Sequence, residues 1–241
     1  MLCSAIPAAL HAEFEQRWSA PWREIFGMTE TGVDLVSLPE ATEDVGSGRL
    51  GRPVPTKRVR VVDAQGRQVG DGESGELITS GRPMMLGYWN RPEATAQVLR
   101  DGWLHTGDVA IREAGSYRLV GRLKDMVRRG GENIASTEVE RVLERDDRVV
   151  ATAVVGVPDE LFGEEVKAFV QLAPGVPVSR DTAQRILDDA RSQLARFKLP
   201  RYVEFVADFP RTPSERVSKP ALKARAAEQP GTTYDLRPPR D

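Results

Sequence analysis

A threonine hydroxyl beside a carboxylate, as in Met28-Thr29-Glu30, can hold a phosphate oxygen together with its magnesium ion. The same residues, set in a Gly- and Thr-rich loop, also suit a turn or a helix cap, and alone they read that way. In His105-Thr106-Gly107-Asp108 a carboxylate directly follows a glycine turn, where it can accept hydrogen bonds from both hydroxyls of a ribose. An Asx-type turn is the plainer reading of those four residues, and His105 reads as a packed or exposed loop residue. The stretch GRLKDMVRRGGEN (residues 121–133) crowds Arg122, Lys124, Arg128 and Arg129 around one short linker, as a solvated basic face would. Its double glycine adds something, because Gly130 and Gly131 let backbone approach a ligand or take positive φ. Finally, RTPSERVSK (residues 211–219) offers two cations to a phosphate, Arg216 and Lys219, though an ordinary basic turn has the same composition.

These groups need elements to carry them. Leu10, Phe14 and Trp18 recur at helical spacing and predict a surface helix, followed by a turn-rich region that holds FGMTETG. Apolar runs at Val59–Val62 and Leu77–Ile78, separated by DAQG and GDGESG, predict strands joined by turns. RPEATAQVLRDGWLHTGDVA reads as a short helix with Pro92 in its first turn and Gly102 past its end, then a loop. Thr137 and Glu140 match a capping box for a helix burying Val139, Val142 and Leu143. VVATAVVGV, VKAFVQL and YVEFV are β-rich runs, and Ser179 can cap a helix with a stripe of Ile186, Leu187, Ala190, Leu194 and Phe197. Alternating strands and helices from about Lys124 onward suggest a small α+β domain, with a polar, proline-containing loose tail beyond Ala224.

Bulk properties exclude several classes. Hydrophobic residues make up 40% and charged residues 29% of 241, ordinary for a soluble globular protein. The formal charge of 34 − 36 = −2 advertises neither nucleic acid nor anionic membrane as a partner. No uninterrupted apolar stretch is long enough to span a bilayer, and MLCSAIPAALHAEF lacks the basic start of a signal peptide. Cys3 is the single cysteine, which rules out an internal disulfide and fits a reducing cytoplasm; two histidines make a His-rich metal site a poor reading.

Each stretch is weak evidence alone, but their order is not. FGMTE, GELITSGRPMMLGYWNRPEAT, WLHTGD, GRLKDMVRRGGENI, EVE and PRTPSERVSK, in that sequence over almost the whole chain, resemble the adenylate-forming (AMP-binding) superfamily. Within it the chain looks like an acyl-CoA synthetase (carboxylate–CoA ligase). The resemblance implies that a carboxylic acid attacks ATP to give an acyl-adenylate, and that coenzyme A then takes the acyl group. It implies a mixed α/β (α+β) fold: residues 1–122 as the C-terminal part of the large domain with a β-rich subdomain, 123–224 as the small C-terminal domain, and 225–241 as the tail. By the same resemblance Gly27, Met28 and Thr29 approach the AMP phosphate and Glu30 helps hold Mg²⁺. Asp108 binds the ribose hydroxyls with Arg122 near the same sugar. Lys124 falls at the hinge of the small domain, and Gly130, Gly131 and Glu132 turn towards the thiol tunnel.

Two departures from the family pattern follow. The Ser/Thr/Gly-rich phosphate loop ending in lysine does not precede FGMTE, so the acyl pocket, adenine slot and pyrophosphate grip would belong to a missing N-terminal portion. In the family motif P-x-T-x-x-G-K-x-x-K, Glu215 stands at the glycine, Arg216 at the first, catalytic lysine and Lys219 at the second. A planar guanidinium is not equivalent to a compact ammonium, and Glu215 restricts a tip that glycine leaves free. The competing expectations are therefore an acyl-CoA synthetase completed by its missing portion and a non-catalytic remnant or interaction module. A carrier-protein-loading adenylation domain ranks lower, because nothing downstream resembles a carrier.

Overall fold

A computed structural model of the chain describes residues 1–3, 8–38, 40–41, 44, 47–213, 215–228 and 233–236. The chain divides into two compact units, Met1–Leu123 and Lys124–Asp241.

In the first unit, β1 (Leu2–Cys3), α1 (Ala8–Trp18), β2 (Arg23–Met28), β3 (Gly32–Val36) and β4 (Arg52–Pro53) come first in the chain. They are followed by β5 (Lys57–Val62), β6 (Ser74–Gly81), α2 (Pro92–Val98), β7 (Leu99–Arg100), β8 (Trp103–Glu113) and β9 (Ser116–Arg122). One sheet has the order β1-β2-β3-β4 with β1 parallel to β2; the other is antiparallel, β5-β6-β8-β7, with β9 also on β8. β5 forms because its residues alternate: Lys57, Val59 and Val61 point inward while Arg58 and Arg60 point out. Phe26 and Leu35 of the first sheet share a buried cluster with Val59, Val61, Leu77, Ala110 and Tyr117 of the second. Each such apolar side chain contributes on the order of 2 kcal/mol by leaving water.

Two expectations change here. FGM is not turn but the end of β2, because Phe26 pairs with Leu35 and Met28 with Gly32 in a hairpin. The HTGD stretch is not a loop either. It lies within β8, where a bulge opposite Glu76 and Ile78 absorbs Gly107 at φ +70°.

In the second unit, β10 (Met126–Arg129), β11 (Glu132–Ala135), α3 (Ser136–Leu143), β12 (Val149–Asp159) and β13 (Gly163–Leu172) precede α4 (Arg180–Ala190), β14 (Tyr202–Phe205), α5 (Lys219–Glu228) and β15 (Thr233–Asp235). The sheet runs β11-β10-β13-β14-β15 with β12 also on β13. Ser179 caps α4 as its sequence suggests, its Oγ accepting from the Thr182 N–H at 3.1 Å. Ile186, Leu187 and Ala190 of α4 pack with Val139 and Leu143 of α3 on Val154, Val166 and Val170 of the sheet.

Three further expectations are corrected. Thr137 is not an N-cap, because β11 runs directly into α3 and leaves Ala135 at that position with no side-chain cap. Glu140 therefore turns elsewhere, accepting from the Val154 N–H at 2.7 Å. Leu194 and Phe197 lie beyond the end of α4, on a turn and a 3₁₀ segment (Arg196–Lys198), yet they still reach the same core. The loose tail expected after Ala224 is largely structured among the described residues. α5 continues to Glu228, Thr233–Asp235 pairs with Glu204–Tyr202, and Arg201 grips both oxygens of Asp235 at 3.1 and 2.8 Å. The apolar residues that anchor this segment, Tyr234 and Leu236, form a pattern too short to register as a strand in sequence.

Candidate functional site

The first unit brings two of the expected groups into defined geometry. Thr29 and Glu30 sit on the turn between β2 and β3. Gly27 is required there, because a Cβ at that position would run into the Gly32 carbonyl oxygen. Thr29 is exposed and Glu30 half-buried. The Glu30 carbonyl accepts from the Met85 N–H at 2.7 Å, and its Oε1 accepts from the Tyr88 hydroxyl at 2.8 Å. That hydrogen bond, together with partial burial, pushes the Tyr88 phenol above its ordinary range, so at neutral pH it keeps its proton and donates it. One carboxylate whose second oxygen is uncommitted among the described residues suits Mg²⁺, which keeps most of its waters and takes few protein ligands. No group of three or more metal-ligating side chains exists among the described residues.

Asp108 and Arg122 face one another across β8 and β9, with Arg122 Nε 2.6 Å from Asp108 Oδ1. The Asp108 side chain is 6% exposed and that of Arg122 46%. The bulge is locked by a small network. Thr106 Oγ1 donates to the Leu77 carbonyl at 2.6 Å and accepts from the Asp108 N–H at 3.0 Å. Glu76 accepts from the Gly107 N–H at 3.2 Å and holds His105 Nδ1 at 2.7 Å, so His105 belongs to the scaffold. The result is a rigidly placed carboxylate whose orientation is set by a guanidinium.

Other expected residues lie in or beside the second unit. Lys124 is exposed on a 3₁₀ turn (Leu123–Asp125) where one compact unit gives way to the next. Gly130 and Gly131, at φ +56° and +89°, make the two-residue hairpin turn between β10 and β11, with Arg129 paired to Glu132. The turn is braced from one side: the Gly130 N–H donates to the Phe162 carbonyl at 2.9 Å, and Arg129 lies over the Phe162 ring while gripping Glu165 at 2.5 and 3.0 Å. Glu132 is exposed.

At the RTPSERVSK tip, Arg211 bridges Val217 and the Thr212 N–H donates to the Arg216 carbonyl at 2.8 Å; Ser214 lies outside the described residues. Glu215, at the family's glycine position, adopts φ +61°, the left-handed region that glycine takes without strain. The two cations part company. Lys219 Nζ lies 2.7 Å from Glu140 Oε1 with both side chains largely buried, whereas Arg216 is exposed and has no ion pair among the described residues.

Sequence reasoning gave no role to Tyr88 and only a capping role to Glu140, although both sit inside motifs it singled out. Their partners, Glu30 and Lys219, are 58 and 79 positions away, a relation that no local pattern encodes.

Residues 2–89 match the AMP-binding enzyme family, and residues 138–216 match the AMP-binding enzyme C-terminal domain. A feruloyl-CoA synthase from Amycolatopsis sp. is 42% identical over 228 residues, covering 93% of this chain and 46% of that protein. The fatty acid–[acyl-carrier-protein] ligase ScoC of Streptomyces coeruleorubidus is 38% identical over 92% of this chain and 43% of its own length. The crystal structure of ATP-bound MatB from Rhodopseudomonas palustris superposes with a TM-score of 0.79 at 32% identity, over 94% of this chain and 45% of that one. The chain thus spans less than half the length of the relatives it matches.

Proposed function

Because this chain belongs to the adenylate-forming, AMP-binding enzyme superfamily, we propose that it forms the back part of an acyl-CoA synthetase site. Such a site activates a carboxylic acid with ATP and passes the acyl group to coenzyme A. The carrying observation is the buried Asp108 carboxylate held by Arg122 on a locked strand bulge. Oriented by Arg122, the Asp108 carboxylate is the acceptor for ribose hydroxyls. Thr29 supplies a hydroxyl to the α-phosphate. Mg²⁺, held by Glu30 and oriented through Tyr88, would neutralise phosphate charge.

In the second unit, Arg216 supplies the positive charge that the α-phosphate demands as it is attacked, because Lys219 is committed to Glu140. The Gly130–Gly131 turn, with Glu132, borders the route of the thiol, and Lys124 is the hinge between the two half-reactions. The acyl pocket, adenine slot and pyrophosphate grip are contributed by the N-terminal half that the relatives carry. No helix among the described residues is long and apolar enough to cross a membrane. Cytoplasmic residence is part of the proposal and fits the single, half-buried Cys3.

The test is a chimera in which this chain replaces the corresponding part of the feruloyl-CoA synthase relative, assayed beside the isolated chain. ATP–pyrophosphate exchange and thioester formation are measured over a carboxylate panel that includes ferulate and long-chain fatty acids. Carboxylate-dependent AMP release by the chimera is expected; a folded chimera inactive with every acid would overturn the reading. A carrier-protein thiol is the second acceptor to include, since ScoC is named as an acyl-carrier-protein ligase.

A further inference from the structure

Among the described residues, the most buried cation of the first unit is a lysine that sequence reasoning passed over. Lys57 opens β5 in phase with the core residues Val59 and Val61, and its side chain is 0% exposed, as is that of Asp34 on β3. Lys57 Nζ lies 3.4 Å from Asp34 Oδ1, donates to the Thr31 carbonyl at 2.7 Å and donates to the Pro83 carbonyl. Two of the three ammonium protons thus have carbonyl acceptors, and Asp34 supplies the counter-charge. Asp34 is satisfied in turn: Oδ2 accepts from Thr31 Oγ1 at 2.5 Å and Oδ1 from Thr79 Oγ1 at 2.8 Å.

Burying such a pair costs more desolvation than a well-packed apolar pair would, so its presence calls for a reason other than stability. The two carbonyls that Lys57 ties together supply one. Thr31 directly follows Glu30 on the β2–β3 turn, and Pro83 begins the segment whose Met85 N–H and Tyr88 hydroxyl hold Glu30. Pro83 also lies against the turn itself, where a Cβ at Gly32 would come within 3.1 Å of its Cγ.

The geometry points to Lys57 and Asp34 as a positioning pair that sets the turn bearing Thr29 and Glu30 against the segment bearing Tyr88, and so fixes the grip on phosphate and Mg²⁺. This rests on the reading of Thr29 and Glu30 given above. Neither residue touches the nucleotide; both act through the backbone.

The test compares hydrogen exchange in the full chain with that of the double variant Lys57→Met/Asp34→Asn, which removes both charges together and leaves no lone buried ion. Segments 28–34 and 83–90 should exchange at least about tenfold faster, with β5, β6 and β8 unchanged. Parental protection in the two segments, or equal loosening of the whole first unit, would overturn the inference. Should the double variant not fold, Thr79→Val, which removes one donor from Asp34 at nearly constant volume, is read by the same two criteria. AMP binding by the chimera, with Mn²⁺ as the metal probe, gives the second arm, in which the variant should weaken the dissociation constant about tenfold relative to the parental chimera. An unchanged constant counts against positioning. A parental chimera that binds no AMP counts against the proposed function, and the exchange data still decide the role of the pair.

Discussion

Lys219 Nζ lies 2.7 Å from Glu140 Oε1, joining the first residue of α5 to α3 with both side chains mostly buried. The RTPSERVSK tip therefore has one tethered cation and one exposed cation. Lys219→Ala should lower the stability of the chain by about 1–3 kcal/mol, because Glu140 loses a charged donor in a poorly solvated position. Arg216→Ala should leave stability within about 0.5 kcal/mol of the parent. Thermal denaturation of both variants checks this. In the chimera, Arg216→Ala should nearly abolish pyrophosphate exchange and Arg216→Lys should preserve or raise it. The reverse ranking, with Lys219→Ala the more damaging to exchange at a temperature where both variants are folded, would reassign the tip.

Glu215 occupies the left-handed region at φ +61°. A non-glycine residue is disfavoured there by about 1–2 kcal/mol, part of which returns as glycine's greater freedom when unfolded. Glu215→Gly should therefore stabilise the chain by about 0.5–1 kcal/mol, read from the urea midpoint at unchanged slope. The hydrogen bond from Arg211 to the Glu215 carbonyl survives, since it involves only backbone at that residue.

Gly130 and Gly131 both need positive φ, but their surroundings differ. A Cβ on Gly130 would meet the Phe162 ring at 3.2 Å, whereas one on Gly131 would meet open space. Gly131→Ala should cost about 1–2 kcal/mol from backbone strain alone. Gly130→Ala should cost more and should disturb the Arg129–Phe162 contact. Equal losses in denaturant titrations would show that Phe162 moves aside freely.

Asp146 is held below the ordinary aspartate value, first by hydrogen bonds from the Arg148 guanidinium and then by the Arg148 N–H, with burial acting in the opposite direction. A carboxyl with a lowered folded pKa contributes stability that is present above its unfolded value and lost as pH falls through the folded one. Asp146→Asn should thus be less stable than the parent by about 1–2 kcal/mol at pH 7. The two curves should converge as pH falls through the lowered folded-state pKa of Asp146, and melting temperatures followed from neutral into acid pH provide the check.

Asp108→Asn keeps the size of the side chain but removes the charge that Arg122 orients. In the chimera it should raise the KM for ATP by about tenfold or more, with a smaller effect from Arg122→Ala. A larger effect from Arg122→Ala than from Asp108→Asn would make the guanidinium the primary sugar contact.

The order of residues alone determined several of the local structures and the family to which they add up. The apolar run Val59–Val62 made β5 legible, the Ser179 hydroxyl marked the start of α4, and paired glycines marked the β10–β11 turn, because each depends on neighbours in sequence. The ordered motifs likewise assigned Thr29, Glu30, Asp108 and Arg216 their expected parts. Only the tertiary structure decided which charges are committed and which are available. That Lys219 belongs to Glu140, Arg122 to Asp108 and Lys57 to Asp34 follows from sheet register and packing between distant segments. Charge pairing depends on distances of a few ångströms across the fold, and a linear pattern records the charges without those distances.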